Sequence, residues 1–406
     1  CTVSVFFSLF FLFSTSLSES EWEAFTLSDR LQSILAPLAQ ANGLANEHYT
    51  DIQVHDIEKK ALFFDTWAGL SVGSEIPEIG DAKPVNFLGM PLLIIRDKVG
   101  DVRVFQNICR HRGMILVSKA QRIEGAIRCP YHSWCYSTEG RLITTPHVGG
   151  PGRNTHSEID KTTLGLIEVR SHIWRDVIFI NISGKSPPFE TVHKHLIQRW
   201  KDFDQPMYQG GENSKFTINV KCNWKLAVEN YCESYHLPWV HPGLNAYSRL
   251  EDHYHIQETG LYSGQGTNFY RQFEGTDGYK FPSFKKLDKK WGDSAEYITV
   301  FPNVLMACQK DHAWSAVLNP ISHELTTEDI NIYYASPTTN KEMRKVNKEQ
   351  WEGIFIEDIS VVEGMQLGRK CTGFDGGRFS PAMDGPTHLF HSWVANKLIN
   401  NKDLNP

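Results

Sequence analysis

Apolar positions change their spacing several times along the chain, and each change marks an element. An uncharged run, VSVFFSLFFLFSTSL at residues 3–17, shows no period. Its length suits the hydrophobic stretch of a targeting or anchoring segment and falls short of the roughly 20 apolar residues that span a bilayer. Next, LSDRLQSILAPLAQANGL (27–44) repeats apolar residues every three to four positions, with Ser28 as candidate N-cap and Gly43 near its end, which predicts a peripheral helix. From Trp67 to Ile182 the pattern shortens to runs such as MPLLIIRD, VRVFQN and GRLITTP between turn residues, the texture of a small antiparallel β domain.

The segment HKHLIQRWKDF (193–203) reads as a short helix at a boundary. Beyond it the pattern predicts a strand (KFTINVKCN), a helix (WKLAVENYCESYH) and strand-like runs (EYITVFPNVLMAC, WSAVLNPIS, DINIYYASP). A final helix, KEQWEGIFIEDISVVEGMQLG, follows. Strands grouped between helices, without βαβ alternation, imply an α+β fold on an antiparallel sheet. The expected division is an N-terminal extension at 1–47, a β domain at 48–187 and a second domain at 188–406.

Composition narrows the function. The 406 residues are 41 % hydrophobic and carry 47 acidic against 41 basic side chains, a net charge of −6. That supports a large core and no nucleic-acid partner. No second apolar run is long enough for a multi-span membrane protein. Eight cysteines are too few for a disulfide scaffold, and two of them share short motifs with histidines.

Those motifs are CRHRG, with Cys109 and His111, and CPYHSWCY, with Cys129 and His132. Zinc fingers pair cysteine with cysteine and histidine with histidine, whereas here each loop offers one of each. A [2Fe-2S] cluster with two thiolates on one iron and two imidazoles on the other suits such a mixed pair of loops. Zinc binding and non-catalytic electron transfer are the competing readings. Further on, ESYHLPWVHPG holds Glu233, His236 and His241, with Pro238 and Pro242 expected to break the helix after His236 so that the imidazoles converge. Two imidazoles and one carboxylate make the facial triad of a non-haem Fe(II) site, and FIEDISVVEG offers Glu357, Asp358 and Glu363.

Taken together, CRHRG, CPYHSWCYSTEGRL and the downstream histidines resemble the Rieske non-haem iron oxygenases over roughly residues 48–393. The resemblance implies a Rieske domain followed by a catalytic domain of helix-grip, START-like form. It places Cys109, His111, Cys129 and His132 on the cluster. It also places His236, His241 and Asp358 on Fe(II), with Gln366 completing the helical pattern and Glu357 the rival third ligand. Respiratory Rieske proteins carry an extra cysteine in each loop; Met114 and Tyr131 stand there instead, and Cys135 reads as a small buried residue. Glu233 falls where the family bridges the iron site to a neighbouring subunit's cluster, which implies a homotrimer, and Glu229 and Asn230 are candidate supports for the iron ligands. Glutamate at this shortened spacing is the form of the glycine betaine, carnitine and choline monooxygenases.

A terminal oxygenase using O2, with NAD(P)H electrons from a separate reductase, is therefore expected in the cytoplasm or a plastid stroma. No dinucleotide fingerprint occurs in the chain itself. The leading expectation is hydroxylation or N-demethylation of a small quaternary ammonium compound, with Trp239, Tyr247, Tyr254, Tyr262, Phe269 and Tyr270 as candidate cage aromatics. The alternative is an aromatic-ring-hydroxylating dioxygenase.

Overall fold

The computed structural model describes residues 30–258, 260–275 and 278–400. The apolar run at 3–17 and Ser28 lie outside them. Of the predicted N-terminal helix, residues 30–34 are helical.

The first domain is a seven-stranded sheet in the order Ala68–Val72, Val177–Asn181, Glu168–Trp174, Val102–Gln106, Met90–Arg96, Asp81–Phe87, Gln121–Arg122, with every pairing antiparallel. A smaller sheet of Ile127–Arg128, Cys135–Tyr136 and Leu142–Thr144 lies beside it. The continuous apolar run of Met90–Arg96 has a reason in the two-residue period of a strand. Leu92 and Ile94 face the main core, while Leu93 and Ile95 face a separate core with Phe105, Cys109, Cys129 and Tyr136. The second core underlies the two Cys/His loops.

The second domain is built on an antiparallel sheet in the order Tyr208–Gln209, Leu325–Tyr334, His312–Ser322, Val304–Cys308, Ala295–Val300, Tyr262–Thr267, His253–Ile256. Lys215–Val220 pairs with the far part of Leu325–Tyr334. Five helices matter for the site: α1 (Trp224–Cys232), α2 (Leu237–Val240), α3 (Pro242–Asn245), α4 (Lys341–Gly368) and α5 (Gly385–Ile399). The α4 helix starts seven residues before the predicted stretch because Asn340 caps it, its Oδ1 accepting from the N–H groups of Glu342 (2.9 Å) and Met343 (3.1 Å).

The sheet again serves two cores by alternation. Leu305 and Ala307 pack toward α1 and α5, while Val304, Met306 and Cys308 pack against Val177 and Phe179 of the first domain. The seam is tight: Gly69 N–H donates to Asn303 Oδ1 (2.8 Å), and Asn303 Nδ2 donates back to Gly69 O (2.9 Å). A β-carbon at residue 69 would stand 2.2 Å from Val304 Cγ2, so only glycine fits. Helices Glu47–Thr50 and Ile52–Glu58 lie against α1, tied by a fully buried ion pair, Lys225 Nζ to Glu58 Oε2 at 2.5 Å. No described helix is long and apolar enough to cross a membrane.

Candidate metal centres and substrate chamber

The two Cys/His loops fold alike. In each, the cysteine N–H donates to the carbonyl five residues on (Cys109 to Met114, 2.7 Å; Cys129 to Trp134, 2.8 Å). In each, the N–H four residues on returns to the cysteine carbonyl (Gly113, 3.0 Å; Ser133, 3.1 Å). The returning residues have left-handed backbone, φ 74° at Gly113 and 56° at Ser133, which closes so short a loop. Both thiols are buried, and the histidines sit outward at the loop tips, their rings 4.8 Å apart. Trp134 stacks on His111 at 4.8 Å, and the Tyr136 hydroxyl lies 3.3 Å from Cys109 Sγ.

This arrangement fits a two-iron cluster. Cys109 and Cys129 are free thiols, and His132 Nδ1 is buried with no hydrogen-bond partner. Burial, more than the neighbouring Cys129, raises the Cys109 thiol pKa, and bound metal would offset that cost by taking the thiolate. Met114 and Tyr131 are exposed, and no second cysteine stands in either loop. Cys135 is buried, its Sγ donating to Ser133 O at 3.2 Å.

At the second centre the structure corrects the predicted helix Trp224–His236, which ends at Cys232. Glu233 is extended (φ −125°, ψ 165°), and its Oε2 accepts from the backbone N–H groups of Tyr235 and His236. That side chain competes for the backbone and stops the helix before either proline acts. Pro238 and Pro242 instead open the short helices α2 and α3, whose N-caps are His236 and His241. Glu233 and His236 thus meet across a turn rather than along a helical face.

The result brings His236, His241 and Asp358 together, one donor atom from each within 4.8 Å of the others. Asp358 Oδ1 lies 3.0 Å from His241 Nε2 and 3.7 Å from His236 Nε2, yet it makes no hydrogen bond. A carboxylate oxygen facing two imidazole nitrogens without hydrogen-bond geometry suits a shared cation. Behind each imidazole stands a second carboxylate: Glu233 Oε1 on His236 Nδ1 and Glu357 Oε2 on His241 Nδ1, both at 2.6 Å. Such contacts fix ring orientation and leave Nε2 free to bind metal. Glu357 therefore faces the far side of His241, and Asp358 faces the convergence point. Burial opposes charge on His241, but Asp358 and Glu357 outweigh it and raise its pKa. Glu328, unremarked in the sequence, is buried behind Asp358 and pushed up to about 8, first by burial and then by Asp358.

Glu229 does not support the metal donors. It turns the other way, accepting from Tyr49 Oη (2.5 Å) and facing His391 Nε2 (3.1 Å) and Arg369 (3.6 Å), because its helix face points at the N-terminal segment. Gln366 likewise anchors backbone, accepting from Asn223 N–H (2.9 Å) and donating to Tyr49 O (3.0 Å). Asn230 lines a cavity of about 70 Å³ over the donors, with Tyr231, Tyr297, Trp314, Trp351 and Phe355.

None of those five aromatics was among the predicted cage residues. Of the six predicted, Tyr247, Phe269 and Tyr270 line an adjoining outer chamber, and Trp239 is 71 % exposed. Tyr254 and Tyr262 bond Glu296 and Glu258 away from the cavity. Part of the signal was present, since Trp351, Ile354, Phe355 and Asp358 repeat at helical spacing and share one face of α4. Tyr297 and Trp314 come together only through strand register, each paired opposite Ala307.

Comparison with known proteins agrees with this geometry. Residues 66–159 match the Rieske [2Fe-2S] domain, and residues 206–399 match the ring hydroxylating alpha subunit catalytic domain. The chain belongs to the Rieske oxygenases. It is 26 % identical to a carnitine monooxygenase oxygenase subunit of Acinetobacter pittii, over 81 % of this chain and 85 % of that one. It is 24 % identical to the chloroplastic choline monooxygenase of Arabidopsis thaliana, over 89 % and 84 %. The solved structure of the quaternary ammonium Rieske monooxygenase CntA with an inhibitor superposes with TM-score 0.73 at 24 % identity, covering 90 % of this Rieske oxygenase and 98 % of that chain. Naphthalene 1,2-dioxygenase from Rhodococcus shares the fold at TM-score 0.71 and 17 % identity, over 93 % and 98 %.

Proposed function

We propose that this oxygenase hydroxylates a carbon next to nitrogen in a small quaternary ammonium compound. The observation that carries the reading is the aromatic chamber directly over His236, His241 and Asp358. Tyr231, Tyr297, Trp314, Trp351 and Phe355 wall this chamber of about 70 Å³, the kind of lining that suits a methylated ammonium head. Aromatic faces attract a desolvated cation by about 2 kcal/mol.

In this reading Cys109, His111, Cys129 and His132 hold the [2Fe-2S] cluster, and His236, His241 and Asp358 hold Fe(II). When bound, these groups supply stepwise electron delivery and O2 activation beside the substrate. Glu233 and Glu357 orient the histidines through Nδ1. Glu233 is itself partly exposed, and the His132 loop tip of a neighbouring copy would meet it in a head-to-tail homotrimer. Trp351 donates Nε1–H to His312 Nε2 (2.8 Å), and His312 Nδ1 faces Asp311 Oδ1 (3.0 Å), so a buried relay sets one chamber wall. A separate reductase supplies electrons from NAD(P)H, which suits the cytoplasm or a plastid stroma.

Reductase-coupled O2 consumption with choline, carnitine, glycine betaine and simple aromatics tests the reading. An aldehyde product, or formaldehyde from demethylation, is expected with the ammonium compounds. A cis-diol from an aromatic would overturn it.

A further inference from the structure

The chamber over His236, His241 and Asp358 adjoins a second one of about 350 Å³, with which it shares Leu244, Ser248, Tyr297, Trp351 and Ile354. The two differ in charge. No lysine or arginine lines the inner chamber, whereas the outer one holds the guanidinium of Arg271. Arg271 is exposed and makes no hydrogen bond or ion pair with any described residue; the Tyr247 ring beside it feels its charge. The outer chamber also carries two carboxylates, Glu357, which bonds His241 Nδ1 at 2.6 Å, and Glu349, exposed and 3.9 Å from Lys345.

A guanidinium without a protein partner beside a cation chamber offers an anion-binding group to a ligand that carries both charges. Arginine's planar fork matches a carboxylate with two parallel N–H donors. We infer that the substrate is a zwitterion whose carboxylate is held by Arg271 in the outer chamber while its methylated ammonium occupies the inner one. Arg271 is then the residue that separates betaine-type acids from amino alcohols of the choline type. The inference rests on the quaternary ammonium reading of the inner chamber.

The test is calorimetric titration of the holoenzyme with trimethylammonium acids carrying one to four methylenes, against the trimethylammonium alcohols of equal length. The wild type should bind the best acid at least about tenfold more tightly than its matched alcohol, since a charge-assisted bidentate contact is worth about 10- to 100-fold. Arg271→Gln should weaken the acids by that factor and leave the alcohols within about twofold; Arg271→Lys should restore part of the loss. An unchanged melting temperature and cluster absorbance would show that the variants are folded and loaded. If the wild type binds alcohols as tightly as acids, or Arg271→Gln weakens both alike, the role of Arg271 is overturned while the ammonium reading stands. If neither series binds the wild type, both fall.

Discussion

Trp351→Leu separates a cation cage from an apolar pocket that happens to be aromatic. The Trp351 ring lies 5.4 Å from that of Trp314 and 6.4 Å from that of Tyr297, centre to centre, in the wall above the metal donors. Replacing it removes apolar contact, at about 25 cal/mol per Å² lost, and the hydrogen bond to His312. Both losses fall equally on a charged ligand and on its neutral carbon isostere. Only the cation–π term distinguishes them, at about 2 kcal/mol for a desolvated site, or about 30-fold in affinity. Calorimetric dissociation constants for choline and 3,3-dimethylbutanol measure the difference directly. The choline-to-isostere affinity ratio should fall roughly 30-fold in Trp351→Leu, with 3-fold as the low end for a half-solvated ring. Equal losses for the two ligands would refute the cage.

The other predictions concern the metal donors and the buried charges. Asp358→Ala should strip the mononuclear iron while leaving two irons per chain and the cluster absorbance, whereas Glu357→Ala should retain near-stoichiometric iron at lower affinity; metal analysis decides between the two carboxylates. Lys225→Met leaves Glu58 buried beside His48 without its cation, which should cost about 3–5 kcal/mol in denaturant unfolding, and Glu58→Gln added to it should recover part of the loss. His193 is 3 % exposed, neither ring nitrogen has a partner, and burial first and His172 second lower its pKa to about 4. The unfolded chain then takes up this proton near pH 6.5 and the native state only near 4, so stability falls as pH drops through that window, by about 3 kcal/mol in all. Unfolding free energies of His193→Phe should show that much less slope between pH 6.5 and 4.

Local chemistry was legible in the amino-acid order, because it depends on residues a few positions apart. The spacing of Cys109 and His111, and of Cys129 and His132, reflects two short loops that each close on the cysteine's own backbone. The chain's change from short β runs to longer amphipathic segments marked the two domains and their antiparallel class. Even the rival third ligands were set by neighbouring positions, Glu357 and Asp358. Tertiary structure alone decided which of the two faces the histidine Nε2 atoms, since adjacent residues on α4 point about 100° apart and the packing of the helix selects one. It also decided the fate of Glu229, whose spacing from His236 and His241 gave no hint that it bonds Tyr49 and faces His391. The aromatic chamber shows the division most plainly. Trp351, Phe355 and Asp358 share a helical period that sequence carries, but Tyr297 and Trp314 reach the same cavity through the register of strands paired across Ala307. Register is fixed by side-chain burial summed over the whole sheet, and no short stretch of sequence contains it.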